Sequence, residues 1–154
     1  DEIGGLLRDV SMNGNINRGK LVFQRKKLQC VTCHAIRAKG GKVGPALTSL
    51  GGSARLGDIL KSLLEPSAGI KQGYQTTTIL SVDGRVFTGI VQQKTDLFLR
   101  LRDADDRIVT IPTGDVEEML AGKVSIMPTG LMDSLSRDEL VDLLRYLSSL
   151  GRAK

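Results

Sequence analysis

Cys30-Val31-Thr32-Cys33-His34 constrains this chain more than any other stretch. Its two cysteines are the only ones in 154 residues, and His34 is the only histidine. Four methionines aside, all the soft-ligand and thiol chemistry therefore sits within five consecutive residues. The fold must present both thiols and the imidazole from one short turn of backbone to whatever they bind.

Several chemistries use such a turn. A zinc site needs four ligands, usually from a second Cys or His pair, and no second pair exists. A thioredoxin-type pair needs a βαβ setting, whereas the residues before Cys30 read as helix and those after it are rich in glycine. A Cys30–Cys33 disulfide would close a very short, strained loop. C-x-x-C-H is, in contrast, the attachment sequence of a c-type haem. Thiols three residues apart lie on neighbouring faces of one helical turn, so both can bond to the vinyl groups of one porphyrin. The imidazole that follows is then held against one side of the iron. The motif predicts one covalently attached haem c, bound through Cys30 and Cys33, with His34 on the metal.

A sixth ligand would have to come from elsewhere. Ser125-Ile126-Met127-Pro128-Thr129-Gly130 sets a thioether beside a proline in a stretch without helical periodicity. Pro128 fixes its own φ and steers Met127 away from helical geometry, as suits a rigid loop offering sulfur to a metal. Met127 is the predicted axial ligand and Met132 the runner-up; methionine is otherwise common core filler. His/Met ligation would raise the potential of the iron.

The helix, the Cys30–His34 motif, Gly44-Pro45-Ala46-Leu47, the Ile126-Met127-Pro128 loop and a closing amphipathic helix together resemble a class I cytochrome c. Leu64-Glu65-Pro66-Ser67, Gly73-Tyr74, Asp83-Gly84-Arg85 and Asp142-Leu143-Leu144-Arg145-Tyr146-Leu147 are closer still to the haem-binding domains at the C-termini of large planctomycete and verrucomicrobial proteins. There such domains often follow propeller-type dehydrogenase or helical-repeat domains. The resemblance runs from about Gly19 to Leu150. It implies a mainly α fold of the class I cytochrome c type, with a small antiparallel sheet inserted before the methionine loop. It also implies that the Pro45 carbonyl accepts the Nδ1 hydrogen of His34; a plain turn is the lesser alternative for Gly44-Pro45. The implied function is one-electron transfer, with a redox partner protein or a fused dehydrogenase domain as the other party.

Composition fits a small module. Hydrophobic residues make up 40% of the chain, aromatics 3%, and tryptophan is absent, so a buried porphyrin would supply much of the missing core volume. No run of residues is long and apolar enough to span a membrane, and residues 1–15 do not read as a signal peptide. Haem is attached on the oxidising side of a membrane, so the expected location is the periplasm or another exported compartment, in a chain already cleaved or excised from a larger one. The formal charge of +5 raises the possibility of nucleic acid, but no binding motif or aromatic-basic platform supports it. Arg25-Lys26-Lys27 reads as a solvated helix face or as steering toward an acidic redox partner.

Residues 1–15 read as a lead-in or linker in which Ile3, Leu6, Leu7 and Val10 suit a short amphipathic helix, and residues 16–154 as a single cytochrome c domain. Asn17 is a candidate cap for a helix to about Leu28, with Leu21, Val22 and Leu28 inward and Gly19 allowing a close crossing with the last helix. Lys39 to Pro45 is a loop whose glycines, Gly44 included, let backbone lie against a porphyrin. Leu56 to Glu65 is an amphipathic helix stopped by Pro66; Arg55, just ahead of it, is a candidate propionate contact or simply exposed. Ser136 and Glu139 form a capping-box sequence opening a helix with Leu140, Val141, Leu143, Leu144, Leu147 and Leu150 as its stripe.

Residues 75–124 are the β-rich insertion. Four strands are expected, over 76–82, 85–93, 97–102 and 107–112, with Asp83-Gly84 a hairpin turn. Asp103, Asp105 and Asp106 lack a calcium-ligand spacing and read as a solvated turn. No paired carboxylates and no nucleophile–base pattern stand out, so the expected protein is an electron carrier and not an enzyme. A haem sensor or small catalytic domain with a labile sixth ligand is the alternative, and an interaction module docking neighbours through the sheet is a third class.

Overall fold

Ser136 opens the longest helix of the chain with the capping box its sequence announces: its hydroxyl accepts the Glu139 amide, and the Glu139 carboxylate accepts the Ser136 amide. This helix, α6 (Arg137–Ser149), buries Val141, Leu143, Leu144 and Leu147 and is the axis of the helical core. The computed structural model describes residues 1–152.

Five further helices assemble around that axis. They are α1 (Glu2–Asn13), α2 (Ile16–Phe23), the single turn α3 (Cys30–Cys33), α4 (Leu50–Ser53) and α5 (Leu56–Leu64). α1 has Asp1 as its cap and buries Val10, with Leu6 and Leu7 against the core, so the amphipathic option for the first residues is the one adopted. The cap of α2 is Asn15, not Asn17, and the helix ends at Phe23; Leu28 arrives on a separate 3₁₀ turn, Lys26–Leu28. Packing against α6 turns Gly19, Val22 and Phe23 inward and leaves Leu21 exposed. Gly19 then lies against α6, where a side chain would stand 2.7 Å from the Tyr146 Cβ. Beside it, the Asp142 carboxylate takes hydrogen bonds from the Asn15 amide at 2.7 Å and Arg18 Nε at 2.7 Å.

The expectation of a mainly α fold is overturned. Helix accounts for 39% of the residues and strand for 21%, and the strands form one five-stranded antiparallel sheet, giving an α/β fold. The strands are β1 (Thr77–Ser81), β2 (Val86–Lys94), β3 (Phe98–Arg102), β4 (Ile108–Pro112) and β5 (Val116–Ala121), in the order β4-β3-β2-β1-β5. Four strands were anticipated; β5 is the addition, and it extends one edge of the sheet by pairing with β1 from Thr77 opposite Ala121 to Ser81 opposite Val116. Ile79, Leu99, Leu101 and Ile111 form a core of their own, distinct from the helical one. Leu97, the first residue of the expected third strand, lies before β3 and is exposed. The sheet is thus a second structural unit with its own interior, too large to count as decoration on a helical fold.

The two units meet at few places. At the base of the sheet the Gly122 amide donates to the Thr76 carbonyl at 2.7 Å, so the chain leaves and returns at one point. At the far turn, the Asp106 carboxylate accepts from Arg102 at 2.6 Å and from the Lys42 amide at 3.4 Å, reaching the loop that follows Cys33.

Candidate functional site

Gln29 adopts a left-handed conformation, φ 57°, which ends the preceding 3₁₀ turn and starts α3 at Cys30. The turn is closed by the Cys33 amide bonding to the Gln29 carbonyl and the His34 amide to the Cys30 carbonyl, at 3.2 and 2.7 Å. Cys30 is buried and Cys33 half-buried; both are free thiols. Burial pushes the Cys30 thiol up to about 11. It also raises that of Cys33, with the nearby Asp106 charge adding to the effect.

The segment after the motif folds back over it. The Gly41 amide donates to the Val31 carbonyl at 2.9 Å, Gly44 to Cys33 at 2.7 Å, and Leu47 to Ala35 at 2.8 Å. Position 44 must be glycine here, because a Cβ would stand 2.5 Å from Cε1 of the His34 ring. The next residue holds that ring: His34 Nδ1 donates to the Pro45 carbonyl at 2.6 Å. A carbonyl can only accept, so the proton is on Nδ1 and Nε2 keeps its lone pair. Burial lowers the imidazole's pKa, opposed in part by this bond, which favours the neutral, electron-donating ring.

Cys30, Cys33, His34, Gly44 and Pro45 line a mostly apolar cavity of about 500 Å³, within the size of pockets that enclose a small organic cofactor. Met127 lines it as well, from a chain position far removed. Two bonds in series set its loop: the Met127 amide donates to Ser125 Oγ at 3.1 Å, and the Ser125 amide to Ser67 Oγ at 2.9 Å. Met132 is buried in the helical core and is not part of the cavity wall. Met12 and Met119 are exposed, on α1 and β5. Of the four thioethers, Met127 alone shares the space of the thiols and imidazole.

Arg55 does not join this group: it caps α5 from the surface, outside the cavity lining. The cation in the lining is Lys71, with Asp58 and Tyr74 also present. Lys71 lies in the irregular stretch after Pro66, where no periodicity orients side chains, so only the preceding helix stop marked its neighbourhood.

The donor set fits a covalently held haem. Two thiols from one turn, one imidazole fixed by its other nitrogen and one thioether from a loop distant in sequence line the same apolar space. Among the described residues no three His, Cys, Asp or Glu side chains gather to hold a metal ion, so the turn lacks the further ligands of a structural zinc. No helix of the described residues is long and apolar enough to cross a membrane. The sequence matches no model of a known protein family and no curated protein.

Proposed function

We propose that this chain is a monohaem c-type cytochrome that passes single electrons through a haem held by Cys30 and Cys33 and ligated by His34 and Met127. One observation carries the reading: the only two cysteines, the only histidine and one proline-braced methionine share a single apolar cavity. When bound, the haem supplies an iron that alternates between ferric and ferrous states.

The protein's own contribution is to hold donors still. Pro45 fixes the tautomer and plane of His34 and makes Nε2 a better donor. Pro128 and the Ser67–Ser125–Met127 series brace the loop that carries the thioether. Donors that stay in place in both oxidation states keep the reorganisation of each transfer small. An apolar wall disfavours the more highly charged state, and a thioether donor acts in the same direction, so a raised potential is expected. The other party is a redox partner protein or a fused dehydrogenase domain that delivers electrons to this module, in the periplasm or another exported compartment.

The purified holoprotein tests this directly. One haem should stay with the polypeptide after denaturation, the ferric form should show the weak far-red band of sulfur on iron, and the ferrous form should be low-spin and bind carbon monoxide poorly at neutral pH. Absence of covalent haem would overturn the proposal. Rapid, stoichiometric carbon monoxide binding without loss of fold would replace the carrier by a sensor or catalyst with an exchangeable sixth ligand.

A further inference from the structure

A second depression, a groove of about 930 Å³, runs along another face of the α3 turn: Val31 lines it, whereas Cys30 and Cys33 line the cavity. Its walls carry Lys20 from α2, Arg37 and Lys39 from the turn after the motif, Arg145 from α6 and Arg152 just beyond. No aspartate or glutamate lines it. None of these five cations is ion-paired with a described residue, whereas six other arginines are. The chain's whole formal excess is +5. Gathering that many uncompensated charges around one concavity costs stability through mutual repulsion, and a bound anion relieves the cost.

The backbone under two of the cations is strained as well. Arg37 and Ala38 hold left-handed conformations, φ 51° and 65°, each costing roughly 1–2 kcal/mol for a residue with a side chain. Reciprocal bonds between Ile36 and Lys39, at 2.9 and 3.0 Å, lock the turn, and the Arg37 amide donates to Thr48 Oγ1 at 2.8 Å. The result is a rigid presentation of Arg37 and Lys39 where a glycine-containing turn would have been easier to form.

We propose that this groove docks an acidic polypeptide segment of a partner protein. The cations come from separate segments instead of one backbone nest, which matches a string of carboxylates better than a single phosphate. Phe23 and Tyr146, the aromatic residues in the wall, are only 4% and 8% exposed and offer no face on which bases could stack. Asn17, Gln24 and Ser148 lie among the charges and can bond to peptide groups. The groove lies apart from the thiols, so this proposal does not depend on what occupies the cavity.

The test is fluorescence anisotropy of a labelled oligoglutamate peptide on the 154-residue chain as isolated. Binding should weaken about tenfold or more in the double variant Arg37→Glu/Lys39→Glu, and in the same direction in Lys20→Glu, which lies outside the strained turn. Arg85→Glu/Arg107→Glu, equal in net charge change but on the sheet, should leave binding nearly unaltered. The proposal fails if the peptide does not bind, if the sheet variant loses as much as the groove variant, or if Lys20→Glu has no effect. It also fails if oligothymidylate or tripolyphosphate binds more tightly than the peptide and is lost with the same substitutions.

Discussion

Gly19 and Asp142 meet backbone to backbone: a Cβ at position 19 would collide with the Asp142 carbonyl of α6. The contact sets the crossing of α2 and α6, and through Phe23 and Leu147 it sets one side of the cavity. Gly19→Ala should therefore cost about 3 kcal/mol or more, because neither helix can retreat without opening the core. Urea unfolding measures it; a neutral result would show that the crossing is loosely determined.

The same crossing carries a pH dependence. The hydrogen-bonded Arg18 guanidinium, helped by the Asn15 amide, holds the Asp142 carboxyl below its ordinary value near 3.8, against the opposing effect of burial. A depressed folded value means that the stabilisation is fully present above that ordinary value and is lost as pH falls through the folded one. Asp142→Asn should cost about 2 kcal/mol at neutral pH, and the gap to wild type should shrink toward acid. A gap unchanged in strong acid would contradict the assignment.

The two inner-facing methionines should separate cleanly. Met127→Ala should remove the far-red band of the ferric holoprotein and leave stability little changed. Met132→Ala should keep the band and cost about 2–5 kcal/mol, since its side chain fills the helical core. The opposite pattern would move the ligand to Met132.

The paired ends at Thr76 and Gly122 make the sheet removable. A chain in which a short linker joins Thr76 to Gly122 should still attach haem, because every thiol, imidazole and thioether of the cavity lies outside the excised residues. Loss of the Asp106 contact to the Lys42 amide should show as faster hydrogen exchange in residues 40–44. Failure to attach haem would mean that the sheet is needed to form the cavity.

Ala38→Gly should raise stability by about 1 kcal/mol, since glycine adopts the left-handed conformation at position 38 without the steric cost. Thermal unfolding checks the sign. A loss would mean that the alanine methyl makes packing contacts worth more than the strain.

How far residues alone reveal this molecule depends on where periodicity operates. The capping box at Ser136, the stripe of α6, the apolar spacing of α5 and the Asp83-Gly84 turn each tie a local pattern to a local structure, and those elements lie where expected. β5 was invisible because Val116-Glu117-Glu118-Met119-Leu120-Ala121 shows no clean alternation and is built largely from helix formers; it is extended because β1 offers it a ladder. Missing it made the sheet look like an ornament and the fold mainly α. The motif residues and Met127 were legible because their chemistry is rare in this composition. Arg55 stood open between a propionate contact and an exposed side chain, because a cation's distance from a cavity is set by tertiary packing; it is exposed, and Lys71 from an irregular stretch lines the cavity instead.

The pairing of the sheet's first and last strands bears on the order of events on a growing chain. Cys30, Cys33 and His34 are fixed by bonds to near neighbours, the most distant being Gly44 to Cys33 and His34 to Pro45. Met127 lies beyond β5, and its loop is anchored through Ser125 to Ser67, so it comes into place only after the whole sheet segment has been made. During synthesis the thiols and imidazole are ready early, while the thioether that shares their cavity has yet to be made. Whatever joins the thiols at that stage meets a half-built cavity, and the later methionine loop completes its wall like a lid fitted last.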